Sequence, residues 1–158
     1  MISAVVLAAG ESTRMGSRNK LLLPFGGQPL IARVVDVVRR ARVGEVIVVL
    51  GHQADLVRPA LPGEGLRVVL NPDYPQGMPS SIRSGLAQVS PSATGVLVCL
   101  TDQPFLEPED LDHLIDAFDA AEDKSILVPI FGDQRGNPVL FSTRYRQEIL
   151  HERAALGG

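Results

Sequence analysis

Apolar residues recur along this chain in two rhythms. Ser3–Leu7, Glu45–Leu50, Leu66–Leu70, Gly95–Leu100 and Ser125–Phe131 are short runs dominated by Val, Ile and Leu without strict alternation. That is the pattern of strands covered on both faces. Longer amphipathic stretches lie between them. Pro29–Ala41 places Leu30, Val34, Val37, Val38 and Ala41 on one helical face, with Arg39 and Arg40 near its end. Ala54–Leu61 predicts a shorter helix interrupted at Pro59, and Ser80–Val89 a third one after a Gly-Met-Pro start. Pro108–Ala121 carries Glu107, Glu109 and Asp110 in or beside its first turn, where acids suit the helix dipole. Arg144–His151 predicts a last helix. Strand and helix alternate throughout, so the expected fold is α/β, with three layers, right-handed crossovers and a mostly parallel central sheet.

Composition narrows this picture. The 158 residues are expected to form one domain with a substantial core, since 45% of them are hydrophobic. A net charge of −3 argues against a general nucleic-acid or membrane-surface binder, so any cationic site must be local. The single cysteine, Cys99, lies inside an apolar run and excludes an internal disulfide; it reads as a small buried hydrophobe in a reducing cytoplasm. No stretch has the length of a membrane span or the layout of a signal peptide.

A doubly wound sheet binds ligands beyond the carboxyl ends of its strands. The first strand ends in Leu7-Ala8-Ala9-Gly10, followed by Arg14 and Lys20. Small residues let backbone N–H groups approach phosphate oxygens, and the two cations neutralise them. The loop has neither the Walker-A nor the Gly-x-Gly-x-x-Gly pattern, so incidental surface cations remain the alternative. The fourth strand ends in Thr101-Asp102-Gln103-Pro104. Asp102 can hold one Mg²⁺ that also takes phosphate oxygens and waters, or it can serve as a turn residue before Pro104. After the third strand comes Asn71 to Ser81, in which Gly77 permits close backbone approach. There Ser80 or Ser81 can cap the following helix or meet a ligand. Asp133 to Phe141 is either a hairpin connection or the wall of an acceptor pocket, with Arg135 or Asn137 touching the acceptor. His52, His113 and His151 are scattered, so a zinc site is not expected.

Taken in order, Leu7 to Gly16, Asn19 to Pro24, Gly77 to Leu86, Thr101 to Pro104 and Gln134 to Phe141 span nearly the whole chain. Together they resemble the MobA-like nucleotidyltransferase family, and most closely its molybdenum cofactor cytidylyltransferases. The resemblance implies a Rossmann-like nucleotidyltransferase domain that binds a nucleoside triphosphate and Mg²⁺. It implies nucleotide contacts from Leu7, Ala8, Ala9, Gly10, Asn71, Gly77, Ser80 and Ser81. Arg14 and Lys20 would hold phosphates, Asp102 the metal, and Arg135 and Asn137 the acceptor. Leu-Ala-Ala-Gly at 7–10 looks like the cytidine-using branch, whereas guanylyltransferase members usually read Leu-Ala-Gly-Gly. The implied substrates are CTP and molybdenum-molybdopterin, with delivery to a xanthine dehydrogenase-type molybdoenzyme. The alternatives are a GTP-dependent or sugar-phosphate nucleotidyltransferase, or a non-catalytic accessory protein that binds nucleotide or cofactor. Family members usually continue with a Gly-Asp-x-Gly-Ala-Arg segment and a late metal-holding Asp. This chain reaches Gly158 where that segment is expected to begin, so 1–158 reads as a single domain apparently lacking it, with Asp102 the one metal carboxylate assigned.

Overall fold

The computed structural model describes residues 1–11, 19–123, 126–131 and 133–151. The chain runs β1 (Ile2–Ala8), β2 (Pro24–Phe25), β3 (Gln28–Pro29), α1 (Leu30–Arg40), β4 (Glu45–Leu50), α2 (Ala54–Val57), β5 (Leu66–Leu70), α3 (Met78–Leu86), β6 (Gly95–Leu100) and α4 (Pro108–Ala120). It closes with β7 (Ile126–Leu127), β8 (Ile130–Phe131), β9 (Gln134–Arg135), β10 (Val139–Ser142) and α5 (Arg146–His151). Six strands form one Rossmann-like sheet in the order β5-β4-β1-β6-β10-β7.

The four apolar runs at 2–8, 45–50, 66–70 and 95–100 pair in parallel, with β1 between β4 and β6. Burial of β1 is complete, yet its alternate residues serve different cores. Ala4, Val6 and Ala8 pack in one cluster with Ile31, Val35 and Val38 of α1 and Leu111, Ile115 and Phe118 of α4. Val5, Leu7 and Ala9 pack in the other with Leu86 at the end of α3, with Ile149 and Leu150 of α5 against it. The period-two geometry of a strand thus builds two apolar layers from one continuous run. Cys99 belongs to the first of these layers; burial pushes its thiol up to about 12, so it stays protonated at neutral pH.

One expectation about the sheet is qualified and one corrected. β5 is an edge strand: Leu66 and Val68 pack against the first core and Val69 against the second, each only partly buried, while Leu70 is 62% exposed. The run 125–131 is not one strand: β7 joins the sheet edge, while β8 pairs with β9 in a separate ribbon. Pro129, lying between them, has no N–H to give a ladder. The strand that adjoins β6 is instead β10, and it runs antiparallel to it, Val139 opposite Val98. Antiparallel entry brings the start of β10, with Asn137 and Pro138, to the carboxyl edge of β6, beside Asp102.

α3 lies close on the sheet because residue 85 has no side chain. A Cβ on Gly85 would run into Val5 Cγ1 and come within 3.0 Å of Val49 Cγ2. Gly85→Ala is therefore expected to destabilise the fold by about 1–2 kcal/mol, overpacking outweighing the gain in helix propensity of roughly 1 kcal/mol. Chemical denaturation checks this; a variant at least as stable as the parent would show that α3 can lift from the sheet without cost.

Candidate functional site

Three strand ends converge on the site. The β1 end supplies Leu7 to Gly10, the β6 end supplies Thr101 and Asp102, and the connection from β5 supplies Tyr74 to Met78. Backbone hydrogen bonds tie the end of β4 to that of β1, His52 N–H to Ala9 O at 3.0 Å, and the end of β5 to that of β4, Asn71 N–H to Leu50 O at 2.7 Å. Between them opens a cleft of about 720 Å³. A second cleft, about 1030 Å³, lies between the β2–β3 turn, the segment after β6, α4 and the start of β10. Lys20 and Asp102 line both.

Lys20 is held by its neighbours. It opens a 3-10 turn, Lys20–Leu22, whose cap is Asn19: Asn19 Oδ1 accepts the Leu21 N–H at 3.0 Å, and Asn19 Nδ2 donates to Gln53 Oε1 at 3.0 Å. Asn19 and Leu21 are buried while Lys20 is exposed, so an anchored turn carries the lysine where it lines both clefts. Asp102 is also exposed, in the bend after β6, and no hydrogen bond or ion pair engages its carboxylate among the described residues. It does not cap a helix. The α4 N-terminus is closed by its own residues, with Glu107 N–H donating to Asp110 Oδ2 at 2.9 Å.

The segment after Asp102 is clamped from α1. Arg33 Nε donates to Pro104 O at 3.2 Å, and its Nη2 to Leu106 O at 3.4 Å and Glu107 Oε1 at 2.8 Å. The Arg33 side chain is only 21% exposed, which makes this fork a stronger restraint than a surface ion pair. Sequence reasoning passed over Arg33. The available signal was a lone arginine among Leu30, Ile31, Ala32, Val34 and Val35, where an apolar helix face leaves a cation without water. Gln103, next to Asp102, keeps its Oε1 buried without a hydrogen-bond partner among the described residues.

The residues expected to meet nucleotide divide into two groups. Leu7, Ala8, Ala9, Gly10, Lys20, Gly77, Ser81 and Asp102 line the smaller cleft. Asn71 and Ser80 stand behind it, 2% and 5% exposed. Asn71 Nδ2 donates to Ser80 Oγ at 2.9 Å and to Ser81 Oγ at 3.0 Å, and its Oδ1 accepts the Asp73 N–H at 3.0 Å. Ser80 Oγ lies 2.7 Å from Gly77 O and 3.0 Å from Asp73 O, within reach of either as an acceptor. This network shapes the loop from inside, and Ser80 lies within α3, one turn in from Gly77 at its N-cap. Gly77 has φ +99°, a conformation that side chains resist, so glycine is required there by the turn itself. Asn137 lines the larger cleft, its peptide to Pro138 being cis. Arg14 and the Arg135 side chain lie outside the described residues.

Glu11, Tyr74 and Met78 also face the smaller cleft, and His113 faces the larger one. His52 makes an edge contact with Tyr74, ring centroids 5.8 Å apart. Among the described residues there is no group of three His, Cys, Asp or Glu side chains that could hold a metal unaided. No helix among them is long and apolar enough to cross a membrane.

A small-residue loop, an anchored lysine and an unengaged carboxylate between two clefts are the parts of a phosphoryl- or nucleotidyl-transfer site. The chain matches the MobA-like NTP transferase domain over residues 4–158 and belongs to that family. It is 36% identical over 132 residues to the bifunctional protein GlmU of Sorangium cellulosum (strain So ce56), covering 79% of this chain and 28% of that one. The chain thus spans about a quarter of the length of the curated relatives it matches. Its fold superposes on Rv0371c of Mycobacterium tuberculosis H37Rv with a TM-score of 0.83 and 37% identity, covering 95% of this chain and 75% of that one. A structure of Rv0371c in complex with manganese gives 0.80 and 37%, covering 94% and 74%. A nucleotidyl transferase from Methanothermobacter, Mth528, gives 0.82 and 29%, covering 95% and 75%.

Proposed function

We propose that this chain transfers CMP from CTP to the terminal phosphate of molybdenum-molybdopterin in the cytoplasm, releasing pyrophosphate, for delivery to a xanthine dehydrogenase-type molybdoenzyme. The observation that carries group transfer is the shared wall: Lys20 and Asp102 line both the 720 Å³ and the 1030 Å³ cleft. Two ligands seated in adjoining clefts meet at these two side chains. The smaller cleft, floored by the β1 loop, takes the nucleotide, and the larger takes the acceptor.

The acceptor phosphate is anionic at neutral pH and needs no general base. Its oxygen attacks the α-phosphorus; the new P–O bond forms as the bond to the β-phosphate oxygen breaks, and pyrophosphate leaves with the electron pair. Lys20 neutralises charge that moves onto the leaving group, with Arg14 assigned the same task by resemblance. Catalysis is then positioning plus electrostatics. The exposed Asp102 carboxylate, unengaged among the described residues, would hold a Mg²⁺, and such an ion would supply positive charge to the phosphates. The manganese complex of Rv0371c supports a divalent cation.

The preference for CTP is drawn from Leu7-Ala8-Ala9-Gly10. Ala9 lines the nucleotide cleft but is only 1% exposed, its methyl buried in the core beside Gly51, so the preference rests on the motif and not on space taken from the base. On this reading turnover should favour CTP over GTP. Parallel kcat/KM measurements with both nucleotides and molybdenum-molybdopterin test this. Equal use of GTP by the parent chain would contradict the cytidine assignment, and binding of nucleotide without any turnover would favour a non-catalytic accessory protein.

A further inference from the structure

We infer that Phe105, braced edge-on by Phe25, is a one-sided aromatic clamp on whose face a flat conjugated ring of the acceptor stacks, and that Phe105 determines acceptor class. This rests on the assignment of the larger cleft to the acceptor.

Phe105 is 81% exposed, far more than core packing would leave a phenyl ring. Burying a ring of this size is normally favourable, so a ring left in water at a cleft calls for a partner. Its contact is Phe25 of β2, ring centroids 5.4 Å apart and planes at 80°. Edge-to-face contact of this kind fixes one ring against the other without covering both faces of either.

The clamp does not sit on a loose loop. The carbonyls on either side of Phe105, those of Pro104 and Leu106, both accept hydrogen bonds from Arg33. The ring is therefore presented in advance, which reduces the entropy lost on binding.

The cleft itself selects between acceptor chemistries. Both aromatic rings line it, with Leu23, Pro24, Leu30 and Pro104 among its apolar walls, while Lys20 and Asp102 mark the side shared with the nucleotide cleft. Gln103, Asp110, His113 and Asn137 add polar groups elsewhere in the lining, but a polyhydroxyl ring laid on the phenyl faces loses hydrogen bonds to water there. A flat conjugated ring loses little and gains stacking. The fitting acceptor has an anionic phosphate at one end and a planar heterocycle at the other.

Pterin-6-carboxylate, a fluorescent planar anion, is the probe. Titration of its fluorescence should show saturable binding to the parent chain, with glucose 1-phosphate competing weakly. Phe105→Ala should raise the Kd roughly 5- to 100-fold, the range seen for loss of one aromatic stacking partner. Phe105→Leu, which keeps apolar bulk but no ring, should show most of that loss, and Phe105→Tyr should restore binding. The Kd for CTP, measured on each variant by calorimetry, should not change. The clamp is overturned if the parent does not bind the pterin, if glucose 1-phosphate binds as tightly, or if Phe105→Leu binds like the parent. Ring-dependent binding in a chain that transfers nothing would uphold the clamp and refute the transfer reading. Normal transfer to a pterin acceptor by Phe105→Leu would do the reverse.

Discussion

Alanine in place of Lys20 is expected to lower kcat by roughly 100- to 1,000-fold, the usual effect of removing one preorganised charge or donor from a developing anion. The loss should fall mainly on kcat, because the charge that Lys20 meets grows as pyrophosphate departs. Stability should move by no more than about 0.5 kcal/mol, since Lys20 is exposed and its turn is held by Asn19 and the buried Leu21. Steady-state kinetics and thermal melting on the same preparation separate the two effects. An active Lys20→Ala variant would remove the lysine from the chemistry.

Asp102→Asn should be comparably damaging for a different reason. The substitution keeps shape and removes only charge, and the carboxylate has no protein partner to strand among the described residues. Loss of several kcal/mol of charge stabilisation corresponds to about 10²–10⁴ in rate. The Mg²⁺ concentration for half-maximal activity should also rise, by about tenfold or more. Titrating Mg²⁺ against initial rate tests this. An unchanged metal requirement in the variant would place the ion on other ligands.

The parallel part of the fold was legible because burial on both faces leaves little choice of residue. The bounds at Glu45–Leu50, Leu66–Leu70 and Gly95–Leu100 needed no correction. What lay beyond reach was neighbourhood. Nothing local in Val139–Ser142 says that it enters antiparallel next to β6, yet that step carries Asn137 to the site. Pro129 was visible and should have divided the run 125–131, since a ladder cannot use it.

The site was legible where backbone dictates residue type and illegible where packing does. A small-residue strand end and an aspartate after an apolar strand can be read from spacing. The roles of Asn71 and Ser80 cannot, because the same polar residues serve a ligand or a buried network, and here each has its partners inside the loop. Arg33 and Phe105 are 71 or more positions from the elements they contact, and only the folded chain sets the guanidinium on Pro104 and the one phenyl ring against the other.

The central claim is that Lys20 and Asp102 stand where two ligands exchange a nucleotidyl group. Following the α-phosphorus tests it most directly. With CTP labelled at that atom, Mg²⁺ and molybdenum-molybdopterin, the label should pass to the acceptor while unlabelled pyrophosphate appears in equal amount, and Lys20→Ala should slow both by the same factor. Label that stays in bound CTP, or leaves it as free CMP at the same rate without acceptor, would contradict the account.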